Sequence, residues 1–149
     1  GVAGAIGAKL ARPDAHVVCV TGDGAFQMFM HELPTAAQHR APVLWVVLDN
    51  AGLGWSKWIQ RATGGRYIAT DFEAQPDFVA LARACGVHAE RVEEPAAVEG
   101  ALERARRAME EGSPAVLHCP IDPWDFPPGF VSFHREVWGL ELPVERSAS

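Results

Sequence analysis

Apolar residues fall into short runs that alternate with helix-spaced segments along the chain. Residues 2–11 (VAGAIGAKLA) read as a small-residue helix that stops before Pro13, and 16–21 (HVVCVT) as a continuously apolar strand. A helical pattern over 25–39 puts Phe26, Met30, Leu33 and Ala37 on one face, with Pro34 as an interior residue positioned to kink it. The strongest strand pattern is 42–49 (PVLWVVLD), apolar throughout and therefore expected to be covered on both faces. A helix over 75–86 closes at Gly86, and a strand follows at 87–92. A helix over 94–112 has Pro95 in its first turn and Gly112 past its end, and a last strand covers 114–121.

Strands alternating with helices predict parallel βαβ units, hence an α/β fold with a doubly wound, mostly parallel sheet and helices on both faces. Such sheets bind ligands beyond the carboxyl ends of their strands. Two turn-forming segments fall there, Gly22-Asp23-Gly24 and Asp49-Asn50-Ala51-Gly52. Each alone is ordinary turn chemistry. At the ends of two strands they become candidates for one site.

Gly24 and Ala25 open the second helix, so their amides are expected to be unpaired and positively polarised. That is a seat for phosphate, and glycine lets the backbone approach it closely. An Asp beside the seat repels a diphosphate unless a divalent cation lies between them. Asp23, the side-chain oxygen of Asn50 and a backbone carbonyl make a hard-oxygen set suited to Mg²⁺ or Ca²⁺.

Composition narrows the partners. The 149 residues are one domain's worth of chain, and 48% hydrophobic residues supply a core. A formal charge of −6 and a pI near 5.4 argue against nucleic acid or an anionic membrane as partner. No apolar run approaches a membrane span, and no signal-peptide pattern is present. Cys19, Cys85 and Cys119 form no CxxC pair and read as reduced core thiols of a cytoplasmic protein. Gly1 begins inside what reads as a helix without its N-terminal cap, so a fragment of a longer chain is expected.

The GDG of 22–24, followed after 24 residues by DN and then AGLG, resembles the diphosphate-binding motif of thiamine diphosphate enzymes. The flanking stretches AIGAKLARPDAHVVCVTGDGAFQM and ELPTAAQHRAPVLWVVLDNAGLG are similar to the C-terminal domain of acetolactate synthase-like and benzoylformate decarboxylase-like enzymes. The resemblance covers about residues 3–120. It implies thiamine diphosphate and Mg²⁺ as cofactors, with the metal held by Asp23, Asn50 and the carbonyl of Gly52. Backbone groups at Gly24, Ala25, Leu53 and Gly54 would touch the diphosphate. Gly22 and Trp55 complete the implied cofactor-binding set, and Trp55 directly follows the loop. Asp49 stands where the family usually has Asn. Its implied role is an acceptor that supports the loop, with direct ligation as the alternative.

The same resemblance implies a 2-oxo acid decarboxylase or carboligase, homo-oligomeric in its complete form. The cofactor's thiazolium carbon attacks the 2-oxo acid carbonyl, carbon dioxide leaves, and the product is protonated or joined to a second carbonyl. The pyrimidine-binding domain, which supplies the activating Glu, lies outside these residues. No catalytic residue is therefore assigned within the chain, and the chain alone is expected to be inactive. Two alternatives stand beside this reading. One is a small subunit of a split decarboxylase, active only with a pyrimidine-domain partner. The other is a non-catalytic binding or assembly module on the same fold.

The other chemistry-bearing residues add less. The six histidines show no metal-ligand spacing, and 103–111 (ERARRAMEE) read as a solvated helix face. Gln27 occupies the third glycine position of a nucleotide fingerprint. Trp55 and Trp58 fit either a substrate pocket or simple packing. The expected division is a cofactor-binding domain over 1–121 and a Pro- and aromatic-rich tail over 122–149, poor in periodicity. That tail is expected to serve as a partner surface, a lid or a cover for the sheet edge.

Overall fold

Four parallel strands, Val17–Gly22 (β1), Val43–Asp49 (β2), His88–Arg91 (β3) and Ala115–Pro120 (β4), form a sheet in the order β1-β2-β4-β3. The computed structural model describes residues 1–125 and 129–139. Its helices are Val2–Ala11 (α1), Asp23–Gln27 (α2), Leu33–Gln38 (α3), Gly54–Ala62 (α4), Phe78–Ala84 (α5), Val98–Glu110 (α6) and Phe130–Trp138 (α7). The α/β alternation read from the apolar runs is the fold observed.

The chain divides into two compact units. One comprises Gly1–Asn50 and Ala74–Ile121 and carries the sheet; the other comprises Ala51–Glu73 and the chain from Asp122 onward. In the sheet unit, strand alternation sorts β2 between two cores. Val43, Trp45 and Val47 join Val2, Ile6, Phe26, Leu33, Phe78 and Ala82, from α1, α2, α3 and α5. Leu44 and Val46 face the opposite way, toward Ala101 and Ala105 of α6. Those two alanines lie one helical turn apart and are fully buried, so α6 approaches the sheet closely. The indole N–H of Trp45 donates to the Val2 carbonyl at 3.2 Å and anchors α1 to β2.

Three helical departures from the sequence expectation have local reasons. The helix expected over 25–39 is broken. α2 ends at Gln27, a 3₁₀ turn follows at Met30–Glu32, and Pro34 sits in the first turn of α3. Pro34 lacks an N–H, and the first turn of a helix is where that costs least, so it starts a helix rather than kinking one. The helix expected from 75 begins at Phe78 because Asp77 caps it, its carboxylate accepting from the amides of Val79 and Ala80. Residues Pro95–Ala97 form a 3₁₀ turn ahead of α6. Gly86 does close α5, at φ +75°, a left-handed conformation that glycine adopts without a Cβ clash.

β1 is an edge strand. Val17 and Cys19 pack inward, whereas Val18 and Val20 are 56% and 65% exposed. Two arginines of α6 pair along its surface, Arg106 with Glu103 and Glu110 and Arg107 with Glu103, as a solvated face, while Arg104 reaches Glu90 of β3.

In the second unit, Gln60 of α4 bonds the Ile68 backbone through both amide atoms, accepting at 2.6 Å and donating at 3.0 Å. Lys57 pairs with Asp71 and lies over the rings of Tyr67 and Trp124. Within the expected tail, Phe130–Trp138 is helical, while residues 126–128 and 140–149 lie outside the described residues. Among the described residues no helix is long and apolar enough to cross a membrane.

Candidate functional site

Parallel pairing of β1 and β2 brings two acids together. The last paired residues are Gly22 and Leu48, so the next position on each strand end places Asp23 level with Asp49. Asp23 is the first residue of α2 and only 1% exposed. Its Oδ1 accepts from the Gly24 amide at 2.9 Å and its Oδ2 from the Gln75 side chain at 2.6 Å. Burial and then a hydrogen bond to the Asp49 carboxyl raise its pKa above the ordinary 3.8. Two carboxyl groups this close, out of water, require a proton or a cation between them.

Asp49 is held from the other side. Its Oδ2 lies 2.7 Å from Nε2 of His118, and its backbone carbonyl accepts from the Ile121 amide at 2.8 Å. Asp49 is opposite Pro120 in the β2–β4 register, so His118, two residues back on β4, lies diagonally across on the same face. Sequence reasoning finds neither Gln75 nor His118. Spacing cannot identify them, because their relation to the acids depends on which strands are neighbours.

Asn50 follows β2 directly and is half-buried. Ala51 then adopts φ +56°, a left-handed turn at a non-glycine residue, and the chain enters the second unit. In that unit Gly52 bridges Asp71, and the Leu53 amide donates to the Thr70 carbonyl at 2.7 Å. A Cβ on Gly52 would lie 2.4 Å from the Thr70 oxygen, so only glycine fits this approach. α4 opens at Gly54 with no side-chain cap.

The predicted set therefore divides. Gly22, Asp23, Gly24, Ala25 and Asn50 belong to the sheet unit, whereas Gly52, Leu53, Gly54 and Trp55 belong to the second. The Gly24 amide, expected to be unpaired, has a partner here in Asp23, and Leu53, whose backbone the resemblance implies would touch the diphosphate, donates its amide to Thr70. Trp58 is buried against Phe130 and His134, with ring centroids at 5.0 and 4.4 Å, so packing accounts for it. Trp55 packs edge-on against Phe130, His134 and Trp138 yet remains 50% exposed.

The donor set bears on the metal. Among the described residues no three His, Cys, Asp or Glu side chains cluster as a metal site, so a soft-metal centre has no support there. Within the sheet unit the buried Asp23 carboxyl and the neighbouring Asp49 are hard oxygen donors, of the kind that suit Mg²⁺. Cys19, Cys85 and Cys119 are free thiols, and burial pushes that of Cys119 upward in pKa.

Comparison with known proteins bears on the same residues. Residues 1–119 match the family model of the thiamine pyrophosphate enzyme C-terminal TPP-binding domain. A probable acetolactate synthase large subunit of Methanococcus aeolicus is 40% identical over 124 residues, covering 83% of this chain and 20% of that one. The acetolactate synthase isozyme 3 large subunit of Escherichia coli is 42% identical over 123 residues, covering 82% of this chain and 21% of its own. A thiamine diphosphate-dependent 4-hydroxybenzoylformate decarboxylase of Rhodococcus jostii superposes with a TM-score of 0.75 at 28% identity, over 82% of this chain and 23% of that one. The chain thus spans about a fifth of the length of the relatives it matches.

Proposed function

Because the chain belongs to the family of thiamine pyrophosphate enzyme C-terminal binding domains, we propose that it holds the cofactor diphosphate through Mg²⁺ in an acetolactate synthase-like decarboxylase or carboligase. The observation that carries this reading is the buried Asp23, whose carboxyl faces that of Asp49 at the ends of β1 and β2. A divalent cation replaces the proton such a pair otherwise needs, and it screens Asp23 from a diphosphate.

Asp23 and the Asn50 side-chain oxygen are the metal donors in this reading. The Gly52 carbonyl is the third, as the family resemblance assigns it. When bound, thiamine diphosphate supplies a nucleophilic thiazolium carbon for a 2-oxo acid carbonyl. This chain's share would be binding and orientation: Asp23 and Asn50 would hold the metal that neutralises the diphosphate. The exposed side of Trp55, directly after the loop, is an apolar wall for substrate. Proton handling at the aminopyrimidine belongs to a pyrimidine-binding domain, carried by the same longer chain or by a partner chain. A homo-oligomeric assembly follows the same family logic.

The test is calorimetry of thiamine diphosphate binding to the complete enzyme, with Mg²⁺ and with a chelator. Asp23→Ala should abolish Mg²⁺-dependent binding while leaving the fold intact. Asn50→Ala should lose less, since its ligand is neutral. Unchanged affinity in Asp23→Ala would overturn the site.

A further inference from the structure

His118 touches none of the groups assigned to the cofactor, yet it is buried at the end of the same polar chain. Four side chains from four segments run in series: Gln75 to Asp23, Asp23 to Asp49, and Asp49 to His118. An ionised carboxylate only accepts hydrogen bonds, so Nε2 of His118 is the donor to Asp49. The imidazole is clamped in turn. The Phe78 ring meets it edge-on at 5.1 Å and 87°. Phe78 packs edge-on against Phe26 at 5.6 Å, and Phe26 lies on α2, one turn from Asp23. Phe78 also follows the Asp77 cap, three residues after Gln75. The contacts thus return to their start, linking the imidazole, both acids and the Phe26–Phe78 pair.

We propose that His118 is a positioning residue for the metal site: its N–H, held by Phe78, fixes the Asp49 carboxylate where it supports Asp23 and Asn50 as metal donors. The inference rests on the reading of Asp23 and Asn50 as those donors. Without the His118 donor, the Asp49 carboxylate loses the hydrogen bond that holds its Oδ2, and it relaxes by turning. That change disturbs the neighbouring carboxylate on which the cation depends. Groups that orient metal-site residues from behind typically carry about ten- to a hundredfold in affinity.

Two substitutions separate this role from packing. His118→Phe keeps a ring against Phe78 and removes the donor, whereas His118→Gln keeps an N–H near the Nε2 position and removes the ring. Mg²⁺-dependent thiamine diphosphate affinity is measured by calorimetry on the complete enzyme, alongside Asp23→Ala. His118→Phe should weaken binding about tenfold or more, and His118→Gln should stay within about threefold of wild type. In steady state, half-saturating Mg²⁺ should rise in His118→Phe while kcat at saturating cofactor holds. A purely structural histidine predicts the opposite ranking, with Phe tolerated and Gln impaired, and that ranking or equal affinities would overturn the proposal. If His118→Phe does not fold, Asp49→Leu removes the acceptor of the same bond: a tenfold loss supports the proposal and wild-type affinity overturns it. Should Asp23→Ala itself bind normally, the failure lies in the metal-site reading and not in His118.

Discussion

Replacing Asp23 by Asn changes one charge and almost no volume. The Asn carbonyl still accepts from the Gly24 amide, and its N–H₂ group can donate to Asp49 where Asp23 otherwise needs a proton. Gln75 keeps a partner by turning its amide over. Asp23→Ala, by contrast, leaves the Gly24 amide and Gln75 without their acceptor, at about 1–3 kcal/mol of stability. Asn is therefore the cleaner perturbation of the metal contact. Removing one partner of a buried charge pair costs about 3–5 kcal/mol. Because Asp23 is 1% exposed, solvent screening takes little from that figure. At about 1.4 kcal/mol per tenfold, Mg²⁺-dependent cofactor binding should weaken by a factor between about a hundred and a few thousand.

The pH dependence carries the sign. Burial and then Asp49 raise the Asp23 pKa, so the metal-free native state binds this proton more tightly than the unfolded chain. The stability it contributes is fully present below the ordinary 3.8 and is lost as pH rises through the raised value. Mg²⁺ must displace the same proton, so wild-type affinity should fall as pH is lowered toward that value. In Asp23→Asn both dependences should flatten. The assay is calorimetry with thiamine diphosphate and Mg²⁺ at several pH values, paired with metal-free melting curves. A variant that binds like wild type, or a wild-type affinity indifferent to pH across this range, would refute the reasoning.

Gly52→Ala should force the loop away from the Thr70 carbonyl at an overpacking cost of about 1–3 kcal/mol, visible as faster hydrogen exchange at the Leu53 amide. Asp77→Ala removes an acceptor shared by two amides of α5 and should cost about 1 kcal/mol in chemical denaturation. The 149-residue chain by itself should release no carbon dioxide from pyruvate or benzoylformate with both cofactors present, since the proposed function assigns acid–base help, typically about 10² to 10⁴ in rate, to a pyrimidine-binding domain; robust release would show that the catalytic groups are misassigned. The same chain should self-associate through the exposed Val18 and Val20 of the β1 edge, and Val20→Lys should reduce its sedimentation-derived mass.

Information that is local along the chain was legible without a structure. Strand and helix periodicities act through neighbours within a turn, and they predict the α/β alternation and the buried β2 correctly. Asp23 and Asn50 could be placed at strand ends because each is adjacent to its own apolar run. Pro34 shows where local reading stops: its ring suits either a kinked interior or a first turn, and packing of α3 under β2 selects the latter. α4 and α7 were not legible as helices from the sequence; their aromatic residues, Trp55 and Trp58 with Phe130, pack against one another within the second unit. Strand order was not legible at all. Nothing near residue 118 in the chain says that β4 lies beside β2, and only that adjacency sets His118 against Asp49. The meeting of Asp23 with Asp49 likewise depends on the parallel register of β1 and β2. Its chemistry follows from burial, because two acids that water would solvate separately must share a proton or a metal once the register brings them together out of solvent.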